Sequence, residues 1–204
     1  MSKYDINLNY NPGFMNENMF YSRALYFITI LTIAIWALLA WQHFHGGVPG
    51  HHLLADEKLP KISNWWGALL LPLLSALLLY RTRKRIFRHS HSEQETVKIL
   101  RNSLYNFLVS IIFGTLISIC FTLNYNDITG YMMLGLLAFA IFFPIYQAEC
   151  LLGFVISMTL TFGAVIPTGF GIMMAFLGLL IYLAIRPVVF YAGAKVASLT
   201  LRGK

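Results

Sequence analysis

The stretch LYNFLVSIIFGTLISICFTL, residues 104–123, contains no charged side chain. Its 20 residues match the number that an α-helix needs to cross the hydrocarbon region of a bilayer, about 20. Charge stays scarce as far as residue 185, since only Asp127 and Glu149 carry one in that region. The whole chain is 58% hydrophobic and 11% charged, whereas soluble domains contain about 25% charged residues. The sequence therefore predicts an all-α, polytopic transmembrane helix bundle that forms a single domain over residues 1–204.

Apolar runs on both sides of this stretch raise the predicted number of spans to about six. Two runs of similar length precede it. The segment after residue 130 is long enough for three more spans. We place its breaks near Pro144–Cys150 and Ile166–Gly171, because proline, glycine and polar residues interrupt the apolar sequence there. The predicted spans are 24–42, 62–80, 104–123, 130–147, 150–166 and 169–191.

The distribution of lysine and arginine predicts the orientation. The segment Arg81–Arg101, RTRKRIFRHSHSEQETVKILR, contains seven basic and two acidic residues, and segments rich in lysine and arginine remain cytoplasmic. We therefore predict a cytoplasmic basic loop at 81–103, an external histidine-rich loop at 43–61 and cytoplasmic termini. These features indicate an integral membrane protein of a bacterial inner (plasma) membrane.

The basic run next to the second span predicts contact with lipid. Cations beside a membrane helix are attracted to anionic lipid headgroups. The run contains one aromatic residue, Phe87, so we expect no nucleic-acid partner. Indole rings prefer the headgroup level, which is where we place the four tryptophans. The residues predicted to contact headgroups are Arg81, Arg83, Lys84, Arg85 and Arg88.

The external loop, HFHGGVPGHHLLADEKLP at residues 43–60, contains four of the six histidines of the chain. Imidazole and carboxylate groups are suitable ligands for Zn or Cu(II), and the glycines and prolines allow the backbone to bring them together. The spacing matches no known metal motif. A polar interfacial loop, or a loop that senses pH near the usual histidine pKa of about 6.5, stays an alternative. The candidate metal ligands are His43, His45, His51, His52 and Asp56.

A second candidate site is a polar path that begins at Glu149. An ionisable group within a membrane is costly and usually functional, for example in proton transfer or ion binding. If the turn between the fourth and fifth spans lies there, Glu149 is instead an ordinary headgroup-level residue. The residues predicted to line the path are Gln147, Glu149, Ser157 and Thr161.

Small residues recur every four positions in the third and fifth spans. Such stripes allow helices to approach closely, so helix packing is the simpler interpretation. A polar lining is the alternative, because several members carry hydroxyl groups. The two stripes are Ser110, Gly114 and Ser118, and Gly153, Ser157 and Thr161.

Three functions are compatible with these patterns. The first is a small channel or transporter-like protein for an ion or small solute, which could assemble as a homo-oligomer. The second is a metal-dependent membrane enzyme with the external His/Asp site, in which metal-bound water is the nucleophile. The third is a non-catalytic sensor or subunit that binds a membrane partner. The sequence contains none of the common nucleotide-binding or hydrolase motifs, and it does not indicate a substrate.

Overall fold

The computed structural model describes residues 16–52, 61–88, 92–192 and 195. These residues form six helices and one short antiparallel ribbon. The last helix begins at Val165 and continues through a single π-helical turn, Ile181–Ile185, to Ala192. The ribbon pairs β1, Gly50–His52, with β2, Lys61–Ser63. The helices are α1, Glu17–Phe44; α2, Gly67–Arg88; α3, Glu93–Thr122; α4, Asn126–Phe142; α5, Ala148–Phe162; and α6, Val165–Leu180.

Four helices in the described part of the chain are long and apolar enough to cross a membrane, judged by length and composition. They are α1, α2 with the 3-10 turn before it, α3, and α6 extended to Ala192. The helices α4 and α5 are shorter, with 17 and 15 residues. The predicted helical membrane fold is thus supported in its coarse form. The ribbon was not predicted, because strands of three residues are too short to give an alternating pattern.

The helices α2 and α5 lie antiparallel and define two ends of the bundle. At one end, the turn after α5 packs on the start of α2: a β-carbon added at Gly163 would lie 2.1 Å from the Asn64 side-chain oxygen. At the other end, Glu149 of α5 pairs with Arg85 of α2. We call the first end, with the ribbon and Trp65, the tryptophan end. We call the second the basic end.

The helix α5 packs most closely against α3. A β-carbon added at Gly153 would lie 2.6 Å from the carbonyl oxygen of Phe107, and one added at Gly114 would lie 2.1 Å from the hydroxyl oxygen of Ser157. The two stripes of small residues therefore meet, and the packing role predicted for them is confirmed at these positions. Ile117 of α3 and neighbouring side chains of α5 are fully buried beside this contact.

The turn between α5 and α6 lies earlier than predicted. The break near Pro144–Cys150 is present, since α4 ends at Phe142 and α5 begins at Ala148. The second break is not at Ile166–Gly171. Pro167 instead lies in the first turn of α6, where a missing N–H interrupts no helical hydrogen bond. The reversal is made by Gly163, which has a φ of 71° that glycine adopts without strain.

The stretch predicted as a loop at residues 81–103 is largely helical. The helix α2 continues to Arg88, and α3 begins at Glu93 after the N-cap Ser92, whose hydroxyl accepts a hydrogen bond from the Glu95 N–H at 3.2 Å. Charged residues interrupt the apolar composition of these helices, but they do not end the helices themselves. The helix α3 is 30 residues long, about 45 Å at 1.5 Å per residue. It therefore extends well beyond one hydrocarbon thickness.

Near the tryptophan end, Trp36 of α1 hydrogen-bonds to α2. Pro72 lacks the N–H that would bond to the carbonyl of Ala68. The indole N–H of Trp36 donates to this carbonyl instead, at 3.1 Å. A freed carbonyl in an apolar environment needs a partner, so this bond links the two helices at the position where α2 lacks one of its own hydrogen bonds.

Candidate functional site: a three-helix polar cluster beside a cleft

Glu149 lies in the first turn of α5 and is buried, with 4% of its surface exposed. Its carboxylate pairs with the guanidinium of Arg85, which extends from α2. The first turn of a helix also favours a negative charge, because its free N–H groups carry a partial positive charge. Thr82, one turn before Arg85, places its hydroxyl 3.4 Å from the second carboxylate oxygen. That hydroxyl also lies 3.0 Å from the carbonyl of Leu78.

Arg85 connects this pair to a third helix. Its Nη2 group donates to the hydroxyl oxygen of Ser103 in α3 at 2.6 Å, in addition to Glu149. The Ser103 hydroxyl in turn donates to the carbonyl of Ile99 at 2.9 Å. One guanidinium therefore links α2, α3 and α5. We call Thr82, Arg85, Ser103 and Glu149 the polar cluster.

A second polar contact holds the beginning of α5 on α3. The side-chain amide of Asn106 donates to the side-chain oxygen of Gln147 at 3.0 Å. Gln147 is the residue before α5 begins. The beginning of α5 is thus held by two side-chain contacts, one from Gln147 to α3 and one from Glu149 to α2.

The polar cluster forms part of the wall of a cleft of about 460 Å³ between α2, α5 and α6. We call it the basic cleft. Leucine side chains form much of its apolar lining, and its polar lining residues are Arg81, Thr82, Arg85, Tyr146, Gln147 and Glu149. Arg81 is exposed and has no ion-pair partner among the described residues.

A smaller, apolar cavity of about 180 Å³ lies on the other side of the cluster. Phe20 and Phe27 of α1 and Phe107 of α3 line it, together with aliphatic side chains. Thr82 and Glu149 border both cavities. The polar cluster therefore separates an apolar space within the bundle from the basic cleft.

The predicted polar path is only partly brought together. Gln147 and Glu149 lie at the basic cleft. Ser157 and Thr161 lie about 12 and 18 Å further along α5 toward the tryptophan end, at 1.5 Å per residue. The Ser157 hydroxyl donates to the carbonyl of Phe154 at 2.9 Å and packs against α3. A continuous polar path remains a prediction.

The residues predicted to contact headgroups have different surroundings. Arg85 belongs to the polar cluster, and Arg83 pairs with Glu17 of α1 at 2.9 Å. Arg81, Lys84 and Arg88 are exposed. Two of the five cations therefore also stabilise contacts between helices, which the positive-inside pattern alone does not indicate.

Sequence reasoning missed Thr82, Ser103 and Asn106. A signal was present, because Thr82 and Arg85, and also Ser103 and Asn106, are three residues apart and so share one helix face. Without the fold, nothing indicated that these two faces meet at Glu149, which is 64 residues from Arg85.

The histidines of the predicted external loop lie at the tryptophan end: His43 and His45 at the end of α1, and His51 and His52 in the ribbon. The His45 ring stacks on Trp41 with a centroid separation of 3.7 Å, and its Nδ1 lies 2.9 Å from the Trp41 carbonyl oxygen. A carbonyl only accepts, so Nδ1 is the donor in this contact. The backbone of His51 pairs with Ile62 in the ribbon, whereas Asp56 lies outside the described residues. Within the described ranges no three metal-binding side chains cluster, so the Zn or Cu site remains a prediction.

The polar cluster places a paired cation and anion in the wall of the basic cleft. A guanidinium in such a position is chemically suited to bind a second anion as well as its carboxylate partner. Comparison with protein-family models, with curated proteins and with solved structures gives no significant match to this chain.

Proposed function

We propose that the chain is an inner-membrane protein with six spans, whose basic end and termini face the cytoplasm. The lysine and arginine distribution supports this orientation. The short helices α4 and α5, about 26 and 22 Å long at 1.5 Å per residue, run between the same two ends as their longer neighbours. A reporter inserted at Ser92 should then be cytoplasmic and one at Gly47 external. An external reporter at Ser92 would overturn the orientation.

Within that arrangement, the proposed function is transporter-like movement of an anion, with the basic cleft as the cytoplasmic binding site. The observation that carries this proposal is the Arg85–Glu149 pair in the wall of a cleft of about 460 Å³. Buried ion pairs rarely add stability over apolar side chains of equal volume. A buried pair that lies beside an open cleft is therefore better explained by exchange of its partners than by structural support.

The chemistry of Arg85 supports anion exchange. Its Nη2 group carries two N–H donors, and these bond to Glu149 and Ser103. A guanidinium has five donors, so three have no partner among the described residues. An anion in the basic cleft could bind these donors before it displaces Glu149.

The small size of the bundle leaves room for assembly. Large apolar side chains are exposed on α1 and α4, including Tyr26, Ile30, Tyr131 and Leu134, and lipid, a second copy or a partner subunit could cover them. A channel between several copies is thus compatible with the same cleft. A non-transporting partner subunit is the alternative that the flux experiment must exclude.

The test is anion flux from liposomes that contain the purified protein. Loaded chloride, phosphate or lactate should leave faster than from protein-free liposomes. The double variant Arg85→Gln/Glu149→Gln should remove the added flux. Arg88→Gln should not, since Arg88 is exposed on the same helix but does not line the cleft. Equal efflux from protein-containing and protein-free liposomes for all three anions would refute the proposal in favour of the subunit.

A further inference from the structure

We propose that the basic cleft binds one anionic phospholipid from the cytoplasmic leaflet, with its phosphodiester on Arg81 and Arg85. This inference rests on the proposed function, because it names the class of anion that the proposed site binds. Three features carry it: the net charge of the cleft, the apolar wall that continues from the arginines, and the opening of the cleft toward the surrounding lipid.

The charge of the cleft matches one phosphodiester. Among its lining residues Arg81 and Arg85 are cationic and Glu149 is anionic, which leaves a net charge of one positive unit. The arginines are four residues apart, so they lie on the same face of α2 about 6 Å apart along its axis. Arg81 has no partner in the described chain, and Arg85 keeps three N–H donors. Guanidinium groups bind phosphate oxygens in a bidentate manner.

The apolar part of the cleft extends away from the arginines. Leu74, Leu77 and Leu78 of α2 precede Arg81 and line the same cleft, over about 10 Å of helix. Such a wall adds binding energy only for an anion that carries an apolar chain, because apolar surface does not compensate for the lost hydration of a small ion. An acyl chain attached to the phosphodiester would be buried against these leucines. The direction of the wall, toward the tryptophan end, is the direction in which acyl chains enter the bilayer.

The cleft opens on the outer surface of the bundle. Leu77 and Ile172 line it from α2 and α6 and are 55% and 52% exposed. In a membrane such side chains face lipid, so a lipid molecule can enter laterally between the two helices. The net positive charge of the cleft lining, from Arg81, Arg85 and Glu149, disfavours a choline or ethanolamine headgroup. The site therefore selects a headgroup without a positive charge, such as phosphatidylglycerol.

The experiment measures lipid binding by native mass spectrometry of the detergent-purified protein, with phosphatidylglycerol, phosphatidylcholine or free glycerol phosphate added. One phosphatidylglycerol should be retained in preference to the other two. Arg81→Gln should weaken this binding about tenfold, as expected for a charged hydrogen-bond donor. Lys84→Gln removes the same charge from an exposed position outside the cleft, and it should have a much smaller effect.

Several outcomes would overturn the inference. Equal loss in Arg81→Gln and Lys84→Gln would show only general attraction of the basic end to anionic lipid. Glycerol phosphate binding as tight as phosphatidylglycerol would show a site for free anions. If Arg81→Gln does not fold, Leu77→Trp provides an independent test, because a larger side chain on the apolar wall narrows the cleft and should weaken retention of phosphatidylglycerol while leaving binding of free glycerol phosphate unchanged. Lipid binding without anion flux would reject the transport proposal alone, and flux without lipid binding would reject this inference alone.

Discussion

Removing the two members of the buried ion pair should have unequal effects on stability. The side chain of Glu149 is 5% exposed, whereas that of Arg85 is 31% exposed. Arg85→Met leaves a largely buried carboxylate without its cation, and such an uncompensated charge costs about 3 kcal/mol. Glu149→Gln leaves a guanidinium that can turn into the basic cleft and be hydrated, so we expect a cost of about 1 kcal/mol.

The double variant Arg85→Met/Glu149→Gln measures how strongly the two charges interact. With both charges removed, no unpaired charge remains, and we expect a cost of about 1 kcal/mol relative to the wild type. The coupling energy between the two positions is then about 3 kcal/mol. The assay is equilibrium unfolding in mixed micelles, followed by circular dichroism and by tryptophan fluorescence. Equal costs for the two single variants, or a coupling energy below about 0.5 kcal/mol, would refute the idea that burial of Glu149 controls the energetics.

Three further predictions concern other parts of the bundle. Gly153→Ala should lower the unfolding free energy by about 1–3 kcal/mol, because a backbone carbonyl of α3 lies 2.6 Å from the new β-carbon; Gly130→Ala, with open space around it, is the control in the same unfolding assay. Trp36→Phe should cost about 1 kcal/mol, and the cost should disappear in a Pro72→Ala background, where α2 supplies its own N–H; an unchanged cost there would contradict the role of the indole. Calorimetric titration with Zn at neutral pH should show binding that His51→Ala weakens. The affinity for Zn should decrease when the pH is lowered below about 6, since imidazole must be deprotonated to bind a metal. Binding that survives the substitution would exclude this site.

The apolar runs predicted the helices because their signal is local. Each run in the sequence corresponds to one helix of the bundle, including the interruption at Pro144–Cys150. Errors arose where composition and geometry differ. Pro167 resembles a helix break in sequence, but the first turn of a helix accepts proline. The high density of charge in Arg81–Arg88 suggested a loop, but arginine and lysine are good helix formers.

The candidate site could be predicted only in part, because its contacts are long-range. Glu149 is conspicuous in the sequence as one of two charges in a long apolar region. Its partner Arg85 is hidden among seven basic residues of one segment, and their composition does not distinguish the one that turns inward. Only the packing of α5 against α2 and α3 selects Arg85.

The burial of α5 among its neighbours has a consequence for how the protein enters the membrane. On its own in lipid, Glu149 would oppose insertion of this 15-residue helix, although by less than the roughly 2.5–3.5 kcal/mol that a charge costs at a helix centre, because it lies in the first turn. Synthesis proceeds from the N-terminus, so α2 and α3 are made first and Arg85 is already present when α5 leaves the ribosome. We expect α5 to partition into the bilayer through protein–protein contact with that earlier assembly. The order of the helices along the chain therefore sets an order of assembly. The helix α5, which carries Glu149, enters the membrane after α2, which carries the neutralising Arg85.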